Sequence, residues 1–470
     1  MDDHEPTDSL GLPVDEMQRL GYWVVDRVVE HFRSGDRGPA IRTGDPAQLR
    51  ELLGGSLPEQ PGDPLQALQT LHDVALDRMQ HGDHPRYFAR VPGPSSFAGV
   101  LGDWLGTGFN ALAASWGGGA GPAMVELVVL DWLVELLGLP AGTEGILVSG
   151  GSQANLTALA VARAERGPGV AYISDQTHAS IPRALVALGF APDEIRLLAT
   201  DQRLRLPAAT LAEAIDADRR AGRAPRLVIA TAGTTNTGAV DELEEIAGLC
   251  RAEELWLHVD GAYGAPAALC APGRAALAGM ELADSLVMDP HKWLFAPYDA
   301  GVAFVAHAGA LERAFAITPE YLADVQRVPG TVDFGNRGLE LSRRTRAFTL
   351  WMMLRTHGAT ALRAGVQRGI ELAELSQRLI DADPFWRCVT SAQLGIVTFT
   401  HDGWDASEHA ARVAALAAEG WAALTSTSLR GRPALRLCTI NPRTTEADIN
   451  GTLERLAACG PWRPGRQSLQ

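Results

Sequence analysis

The strongest constraint on the fold is an alternation of short apolar runs with helix-length segments between residues 145 and 305. The apolar runs predict buried strands, and the segments of roughly 10 to 15 residues between them predict helices. The predicted strands are 145–148, 170–173, 195–198, 227–231, 255–259, 285–288 and 301–305. This order predicts an α/β fold in which a mainly parallel sheet is covered by helices on both faces.

The residues on either side of this region predict two further parts, which leave 81–345 as the large domain. Apolar residues at helical spacing predict an N-terminal helical arm over residues 1–80. Its predicted elements are helices at 14–32 and 65–79 and a Pro/Gly-rich linker at 38–64. Residues 346–470 predict a small C-terminal α+β domain. Its predicted elements are helices at 346–357, 360–382 and 406–419 and strands near 395–400 and 434–439.

Composition excludes several classes of function. The net charge of −15 is spread along the chain, which argues against a nucleic-acid partner. The acidic start of the sequence and the lack of a bilayer-length apolar run predict a cytoplasmic protein without a membrane partner. The five cysteines form no CxxC pair, so neither a disulfide framework nor a metal site is expected.

Lys292 is the only lysine in the chain, although there are 41 basic residues. An arginine keeps its proton in proteins, whereas a lysine can become a neutral amine that condenses with a carbonyl group. The neighbouring residues Trp293, Leu294 and Phe295 predict an apolar setting that lowers the pKa of this amine. The alternative is an ordinary surface lysine whose stem lies along its aromatic neighbours.

Other polar residues follow the ends of the predicted strands, where ligands bind in open α/β sheets. The glycine turn at 149–155, with Ser152, precedes a helix and predicts an anion site. Asp260 could pair with a cofactor nitrogen, and His178 and the hydroxyl-rich segment 232–238 follow two further strands. Each residue taken alone has an ordinary structural explanation. Their occurrence at successive strand ends, together with the only lysine, favours a catalytic site.

The motifs Asp289-Pro-His-Lys-Trp293 and His258-Val-Asp-Gly-Ala-Tyr263 carry a resemblance to a known family. The chain resembles the group II pyridoxal-phosphate-dependent amino-acid decarboxylases along almost its whole length. The resemblance implies an aspartate-aminotransferase-like fold, which is PLP fold type I, and a homodimer with active sites at the interface. It implies pyridoxal 5'-phosphate as the cofactor and an amino acid as the substrate.

The resemblance also implies a role for each matching residue. Lys292 would form the Schiff base with the cofactor, and Asp260 would pair with the pyridinium nitrogen. His178 would stack on the ring and help to hold the substrate carboxylate. The remaining cofactor contacts would be Thr235 near the Schiff base, Ala262 against the ring, and Gly151, Ser152 and His291 at the phosphate.

The chain departs from the family pattern in two places. Phe334 aligns with a loop tyrosine that protonates the substrate carbon in many members. In plant relatives this replacement accompanies aldehyde synthases, which use dioxygen. The alternatives are a different loop alignment, or proton donation by His178, Tyr321 or water. In the pocket loop, Gly82, Arg90 and Val91 stand at the positions where aromatic decarboxylases have aromatic residues.

These departures leave the substrate and the product open. The expected substrate contacts are Arg90, Val91 and Trp116, and Arg90 could meet an anionic or polar side chain. The sequence predicts decarboxylation of an L-amino acid either to an amine or, with dioxygen, to an aldehyde. A β-eliminating lyase or an aminotransferase on the same scaffold is an alternative. So is an inactive homologue that acts as a binding subunit.

Overall fold

A seven-stranded sheet forms the centre of the computed structural model, which describes residues 10–35, 37–317 and 330–459. Its strands are β1 (Glu144–Val148), β2 (Val170–Ser174), β3 (Ile195–Leu198), β4 (Pro225–Thr231), β5 (Trp256–Asp260), β6 (Ser285–Met288) and β7 (Gly301–Val305). Their spatial order is β1-β7-β6-β5-β4-β2-β3, and only β7 runs antiparallel to its neighbours in this sheet. This confirms the predicted α/β fold with a mainly parallel sheet.

A smaller antiparallel sheet follows in the chain, in the order β10-β11-β9-β8. Its strands are β8 (Arg387–Gln393), β9 (Ile396–Thr400), β10 (Thr425–Leu429) and β11 (Arg432–Cys438). The pattern predicted β9 and β11, which are mostly buried, but missed β8 and β10. Those two strands alternate polar and small residues without a continuous apolar run, so their pairing partners decide their conformation.

The helices pack on these two sheets and at the amino end of the chain. They are α1 (Val14–Ser34), α2 (Pro46–Leu53), α3 (Pro64–Thr70), α4 (Phe97–Gly108), α5 (Trp116–Leu137), α6 (Gly151–Arg166), α7 (Ser180–Ala187), α8 (Ala208–Arg220), α9 (Leu243–Ala252), α10 (Ala271–Ala276), α11 (Pro290–Trp293), α12 (Ala310–Phe315), α13 (Arg346–Ala382), α14 (Ala406–Ala418) and α15 (Glu446–Ala458). Across the described ranges, no helix combines the length and apolar character that crossing a membrane requires.

Two helical segments differ from the sequence prediction. Helix α2 lies inside the predicted linker, where Asp45 caps it by accepting a hydrogen bond from the Gln48 N–H, and Pro46 occupies its first turn. Helix α13 joins two predicted helices, with Gly358 in a left-handed conformation at the junction. The domain boundaries at residues 80 and 345 stay predictions.

A buried ion pair ties β1 to helix α5 and to the chain before α13. Arg343 donates hydrogen bonds to both carboxylate oxygens of Glu126, at 2.6 and 3.1 Å. It also donates to the carbonyl oxygens of Ala113 and Leu147, and the Leu147 N–H donates to Glu126. Because both side chains are only 1% exposed, each charge depends on the other and on these backbone partners.

Replacing Glu126 with glutamine is expected to destabilise the protein by roughly 3–5 kcal/mol, because Arg343 would stay buried without a charged partner. The double variant Glu126→Gln/Arg343→Met should lose less stability than the two single changes together. Thermal unfolding followed by circular dichroism measures these differences. As a control, Asp402→Asn removes an exposed ion pair with Arg387 and should leave the melting temperature nearly unchanged. Equal losses of stability in Glu126→Gln and Asp402→Asn would contradict the prediction that the buried Glu126–Arg343 pair matters more than the exposed pair.

Candidate active site

A cavity of about 390 Å³ lies at the carboxyl ends of the parallel strands, and we call it the strand-end cavity. Parallel strands end at the same edge of a sheet, so residues far apart in the chain meet there. Eight residues predicted from the sequence line it: Gly151, Ser152, His178, Thr235, Asp260, Ala262, His291 and Lys292. The structure therefore brings the predicted cofactor set together, while the role of each residue stays a prediction.

Lys292 lies on α11, directly after β6, and its Nζ is 2.8 Å from Asp289 Oδ2. Burial by itself would lower the pKa of the Lys292 amine, but the charge and the hydrogen bond of Asp289 raise this pKa above its ordinary value. The predicted fall of the pKa is therefore wrong for this structure. The lowering of the Lys292 pKa by burial is outweighed by the raising effects, which come mainly from the Asp289 carboxylate one helical turn away.

Asp260 is the last residue of β5 and is only 5% exposed. One oxygen accepts a hydrogen bond from the Ala262 N–H at 3.1 Å, and the other accepts one from Asn155 Nδ2 at 3.3 Å. Each oxygen of the carboxyl group therefore has a hydrogen-bond donor. Asp260 is thus held at the cavity wall as a candidate partner for a cationic group.

The segment that follows β2 carries His178, whose Nδ1 lies 2.8 Å from Ser180 Oγ. The Ser180 N–H also donates to this nitrogen, at 3.3 Å. The sequence analysis did not single out Ser180 or Asn155. Both line the cavity and are buried, but hydroxyl and amide side chains are too common in loops and helices to mark a site by themselves.

One end of the cavity suits an anion. Helix α6 begins there at Gly151, preceded by Gly150 with φ +155°, and its first N–H groups have no partner within the helix. A Cβ on Gly151 would lie 2.7 Å from Asp289 Oδ2, and one on Gly301 would lie 2.5 Å from the backbone of Gly150. Glycine is therefore required here, because a side chain would fill the space between the helix start and the strand ends.

His291 completes this end of the cavity. Its Nδ1 lies 2.7 Å from the Ala300 carbonyl oxygen and 3.2 Å from the Ala300 backbone nitrogen. Burial lowers the pKa of His291, which favours a neutral ring. Its Nε2 lies 3.8 Å from Asp289 Oδ2.

Two polar atoms at the cavity remain without a hydrogen-bond partner among the described residues. They are Thr231 Oγ1 and Asp289 Oδ1, and both are buried. Buried polar atoms are rarely left unpaired, because each costs roughly 1–3 kcal/mol. These atoms indicate that the cavity binds a polar ligand.

Side chains from the small sheet and its neighbours reinforce the cavity wall. Arg436 on β11 is buried, and its Nε donates to the Thr235 carbonyl oxygen at 2.7 Å. Burial lowers the pKa of Arg436. The Tyr263 hydroxyl accepts a hydrogen bond from the Gly395 N–H, and its ring stacks on Trp293 at a centroid distance of 5.3 Å. Tyr263 belongs to a motif that the sequence analysis quoted, whereas nothing in the local sequence marked Arg436.

Phe334 does not lie at the strand-end cavity of this chain, and its role in the reaction stays a prediction. Phe334 is fully buried, starts a single 3-10 turn (Phe334–Asn336), and does not line the strand-end cavity. The Arg343 guanidinium lies 4.9 Å from its ring centre, and the preceding Asp333 accepts a hydrogen bond from the Trp116 N–H. These contacts hold the ring in the core. Tyr321, the other residue considered as a donor, lies outside the described residues.

None of the three expected substrate contacts lines the strand-end cavity of this chain. Arg90 is exposed, with its N–H donating to Thr425 Oγ1 and its guanidinium to Gln80. Val91 packs into the main core, and Trp116 begins helix α5 half-buried. Loop residues of this kind depend on distant partners, so the alignment of a variable loop could not place them.

Comparison with known proteins gives matches over nearly the whole chain. A model of the pyridoxal-dependent decarboxylase conserved domain matches residues 46–402. The aromatic-L-amino-acid decarboxylase of Bacillus atrophaeus is 42% identical over 465 residues, which cover 96% of this chain and 97% of that protein. The phenylacetaldehyde synthase of Arabidopsis thaliana is 31% identical over 413 residues, which cover 84% of this chain and 83% of that protein.

A solved structure agrees with these sequence matches. The crystal structure of Oryza sativa TDC with PLP and tryptamine superposes with a TM-score of 0.89 and 26% identity. The match covers 97% of this chain and 98% of that chain. The overall fold is therefore PLP fold type I.

Replacing Asp289 with asparagine is expected to lower the pKa of the Lys292 amine, because burial would then act without the opposing carboxylate. The single lysine allows a direct measurement. Protein labelled with ¹³C at lysine Cε and stripped of carbonyl ligands by hydroxylamine should give one lysine signal, whose shift follows the titration.

Asp299→Asn is the matched control, since Asp299 pairs with Arg346 rather than with Lys292. It should leave the lysine titration unchanged. A lysine pKa that is the same in the Asp289→Asn variant and the unmodified protein would show that the Asp289 contact does not govern the amine.

Proposed function

The chain belongs to the pyridoxal-dependent decarboxylase family, with pyridoxal phosphate as its cofactor, and from this premise we propose that it decarboxylates an aromatic L-amino acid to the amine and CO₂. The observation that carries the choice of substrate is the 42% identity, over 96% of the chain, to an aromatic-L-amino-acid decarboxylase. The expectation that the pocket loop disfavours an aromatic substrate loses its basis, because Arg90 and Val91 do not line the strand-end cavity.

The residues of the strand-end cavity fit pyridoxal phosphate. The start of α6, with Gly151 and Ser152, offers N–H and hydroxyl donors for a phosphate group. Asp260, hydrogen-bonded on both oxygens, suits a pyridinium nitrogen. Lys292 supplies the only lysine amine of the chain, and the unpaired Thr231 Oγ1 indicates room for a polar partner.

The residues would divide the work as follows. Bound pyridoxal phosphate joins amines through its aldehyde and stabilises the negative charge that develops at the α-carbon when CO₂ leaves. Lys292 would hold the cofactor, and Asp289 next to it accepts a hydrogen bond from the amine at 2.8 Å. Asp260 would keep a proton on the ring nitrogen, and His178 would orient the substrate carboxylate. The buried wall formed by Tyr263 and Trp293 limits the access of water.

The amine is the proposed product because the argument for an aldehyde depended on Phe334. That ring is buried in the core, and it is held away from the strand-end cavity by contacts with Arg343. Similarity to a phenylacetaldehyde synthase at 31% identity makes the product a matter for measurement.

Homodimerisation and a cytoplasmic location stay predictions from the sequence and the family resemblance. Large apolar side chains are exposed on helices α1 and α4 of the single chain, which supports an association between copies. They are Val14, Met17, Tyr22 and Val29 on α1, and Leu101 and Leu105 on α4.

The proposed reaction predicts CO₂ release from L-tryptophan, L-tyrosine, L-phenylalanine or L-dopa without oxygen uptake. An oxygen electrode combined with CO₂ trapping on the cofactor-loaded protein measures both quantities. Phe334→Tyr is expected to leave the ratio of amine to aldehyde unchanged, because the new hydroxyl would lie in the core. Matching oxygen uptake and peroxide would replace the amine with an aldehyde. Turnover without CO₂ would instead favour the lyase or aminotransferase alternative.

A second prediction concerns the covalent link to the cofactor. Borohydride reduction followed by denaturation should leave the cofactor attached to the unmodified protein but not to a Lys292→Arg variant, because an arginine cannot condense with the aldehyde. Intact-protein mass spectrometry detects the attachment. Since there is one lysine, retention of cofactor by the variant would point to the chain's amino terminus or to a different site. A protein that takes up no cofactor at all would favour the inactive homologue.

A further inference from the structure

A chain of buried hydrogen bonds runs behind the strand-end cavity from β6 to the segment after β2. Trp256 Nε1 donates to Ser285 Oγ, which lies 2.9 Å from His258 Nδ1. His258 Nε2 lies 2.9 Å from Asn155 Oδ1. All four side chains are buried, and His258 is fully buried. The sequence motifs gave no role to Asn155, Ser180 or Ser285, and the proposed function does not use them.

The direction of these bonds follows from the chemistry of each atom. An amide oxygen only accepts, so His258 Nε2 carries a hydrogen and donates it to Asn155 Oδ1. Burial lowers the pKa of His258 to about 4, which makes the ring neutral at physiological pH. Its Nδ1 is then an acceptor, and the Ser285 hydroxyl donates to it while accepting from Trp256. In this arrangement the Asn155 amide oxygen faces His258.

Asn155 then presents its NH₂ group to two partners. Its Nδ2 donates to Asp260 Oδ2 at 3.3 Å and to Ser180 Oγ at 3.1 Å. A carboxylate cannot donate, so the Asp260 contact decides which side of the Asn155 amide faces the cavity. The amide oxygen then faces His258, which takes the tautomer with its hydrogen on Nε2.

Ser180 links the Asn155 amide to the His178 ring by hydrogen bonds. The Ser180 N–H can only donate, and it lies 3.3 Å from His178 Nδ1, so Nδ1 is an acceptor. The Ser180 hydroxyl accepts from Asn155 and can donate its own hydrogen to the same Nδ1 at 2.8 Å. A neutral His178 therefore carries its hydrogen on Nε2.

We propose that Asn155 is a positioning residue that joins Asp260 and His178, keeping Asp260 supplied with a donor and, through Ser180, keeping the His178 hydrogen on Nε2. The proposal rests on the proposed function, in which Asp260 faces the cofactor nitrogen and His178 faces the substrate carboxylate. The Asn155 amide group is thus linked both to the residue proposed for the cofactor nitrogen and to the residue proposed for the substrate carboxylate. Ser180 serves only the His178 branch, so the two branches can be tested separately.

The first test is Asn155→Asp in the full-length, cofactor-loaded protein. The substitution preserves shape and can still accept from His258, but it replaces the donor to Asp260 and Ser180 with a second carboxylate. Like charges at this distance would share a proton, which removes negative charge from Asp260. The visible absorbance of the bound cofactor, and its dependence on pH, should change. The turnover number should fall by roughly 10–100-fold, as for other supporting partners of site residues.

The second test is Ser180→Ala, which removes the hydroxyl that links Asn155 to His178 and leaves the Ser180 backbone N–H in contact with His178 Nδ1. It should lower the turnover number by roughly tenfold, the lower end of the loss expected for a supporting partner of a site residue. It should leave the cofactor absorbance and its pH dependence unchanged, because Asn155 still donates to Asp260. This variant also tests the proposal if Asn155→Asp does not fold.

Thr157→Val is the matched control. Thr157 lies on the same helix as Asn155, is fully buried, and its hydroxyl has no hydrogen-bond partner in the described part of the chain. Its replacement should leave both the absorbance and the turnover number near those of the unmodified protein.

Three results would overturn the proposal. One is an Asn155→Asp variant with unchanged absorbance and a turnover number within about twofold of the unmodified protein. Another is a Ser180→Ala variant whose absorbance changes as much as that of Asn155→Asp. The third is an equal effect of Thr157→Val, which would indicate loss of packing in α6. If no aromatic amino acid is decarboxylated by the unmodified protein, the proposed function fails, while the absorbance comparison still tests the link between Asn155 and Asp260.

Discussion

The parallel alignment of the central strands is the constraint on which the candidate site depends. Strands β1, β2, β4, β5 and β6 all end at one edge of the sheet, and β7 begins there because it runs the other way. The glycine turn before α6, His178, Asp260 and Lys292 follow four of these ends. These residues are close in space because the strand ends meet at one edge of the sheet, although they are far apart in the sequence.

Two carboxylates at this edge of the sheet, Asp289 and Asp260, have different partners. Asp289 pairs with the Lys292 amine, whereas Asp260 is held by hydrogen bonds from Asn155 and the Ala262 N–H. Burying such charges without partners would cost several kcal/mol each. A cofactor with a phosphate, a ring nitrogen and an aldehyde would therefore meet a site in which the amine is already paired with one carboxylate. The second carboxylate, Asp260, is held separately by hydrogen bonds.

Sequence reasoning succeeded where the local pattern and the residue type carry the information. The predicted strand at 285–288 has the bounds of β6, because four consecutive apolar or small residues bounded by polar ones suffice. The cofactor set was collected correctly at one cavity because strand ends meet at one edge. The burial of Phe334 beside Arg343 could not be predicted, since it depends on residues that are distant in the local pattern.

The sequence by itself determined the α/β class, the family and the identity of the single lysine amine, because these depend on periodicity, motif spacing and residue type. Only the tertiary structure decided how these residues are coupled. It placed Asp289 against Lys292, where attraction outweighs burial in the amine pKa. It also joined Asn155 to Asp260, 105 positions apart, through an amide whose oxygen faces the buried His258. Such contacts depend on the alignment of strands and helices, which local sequence does not specify.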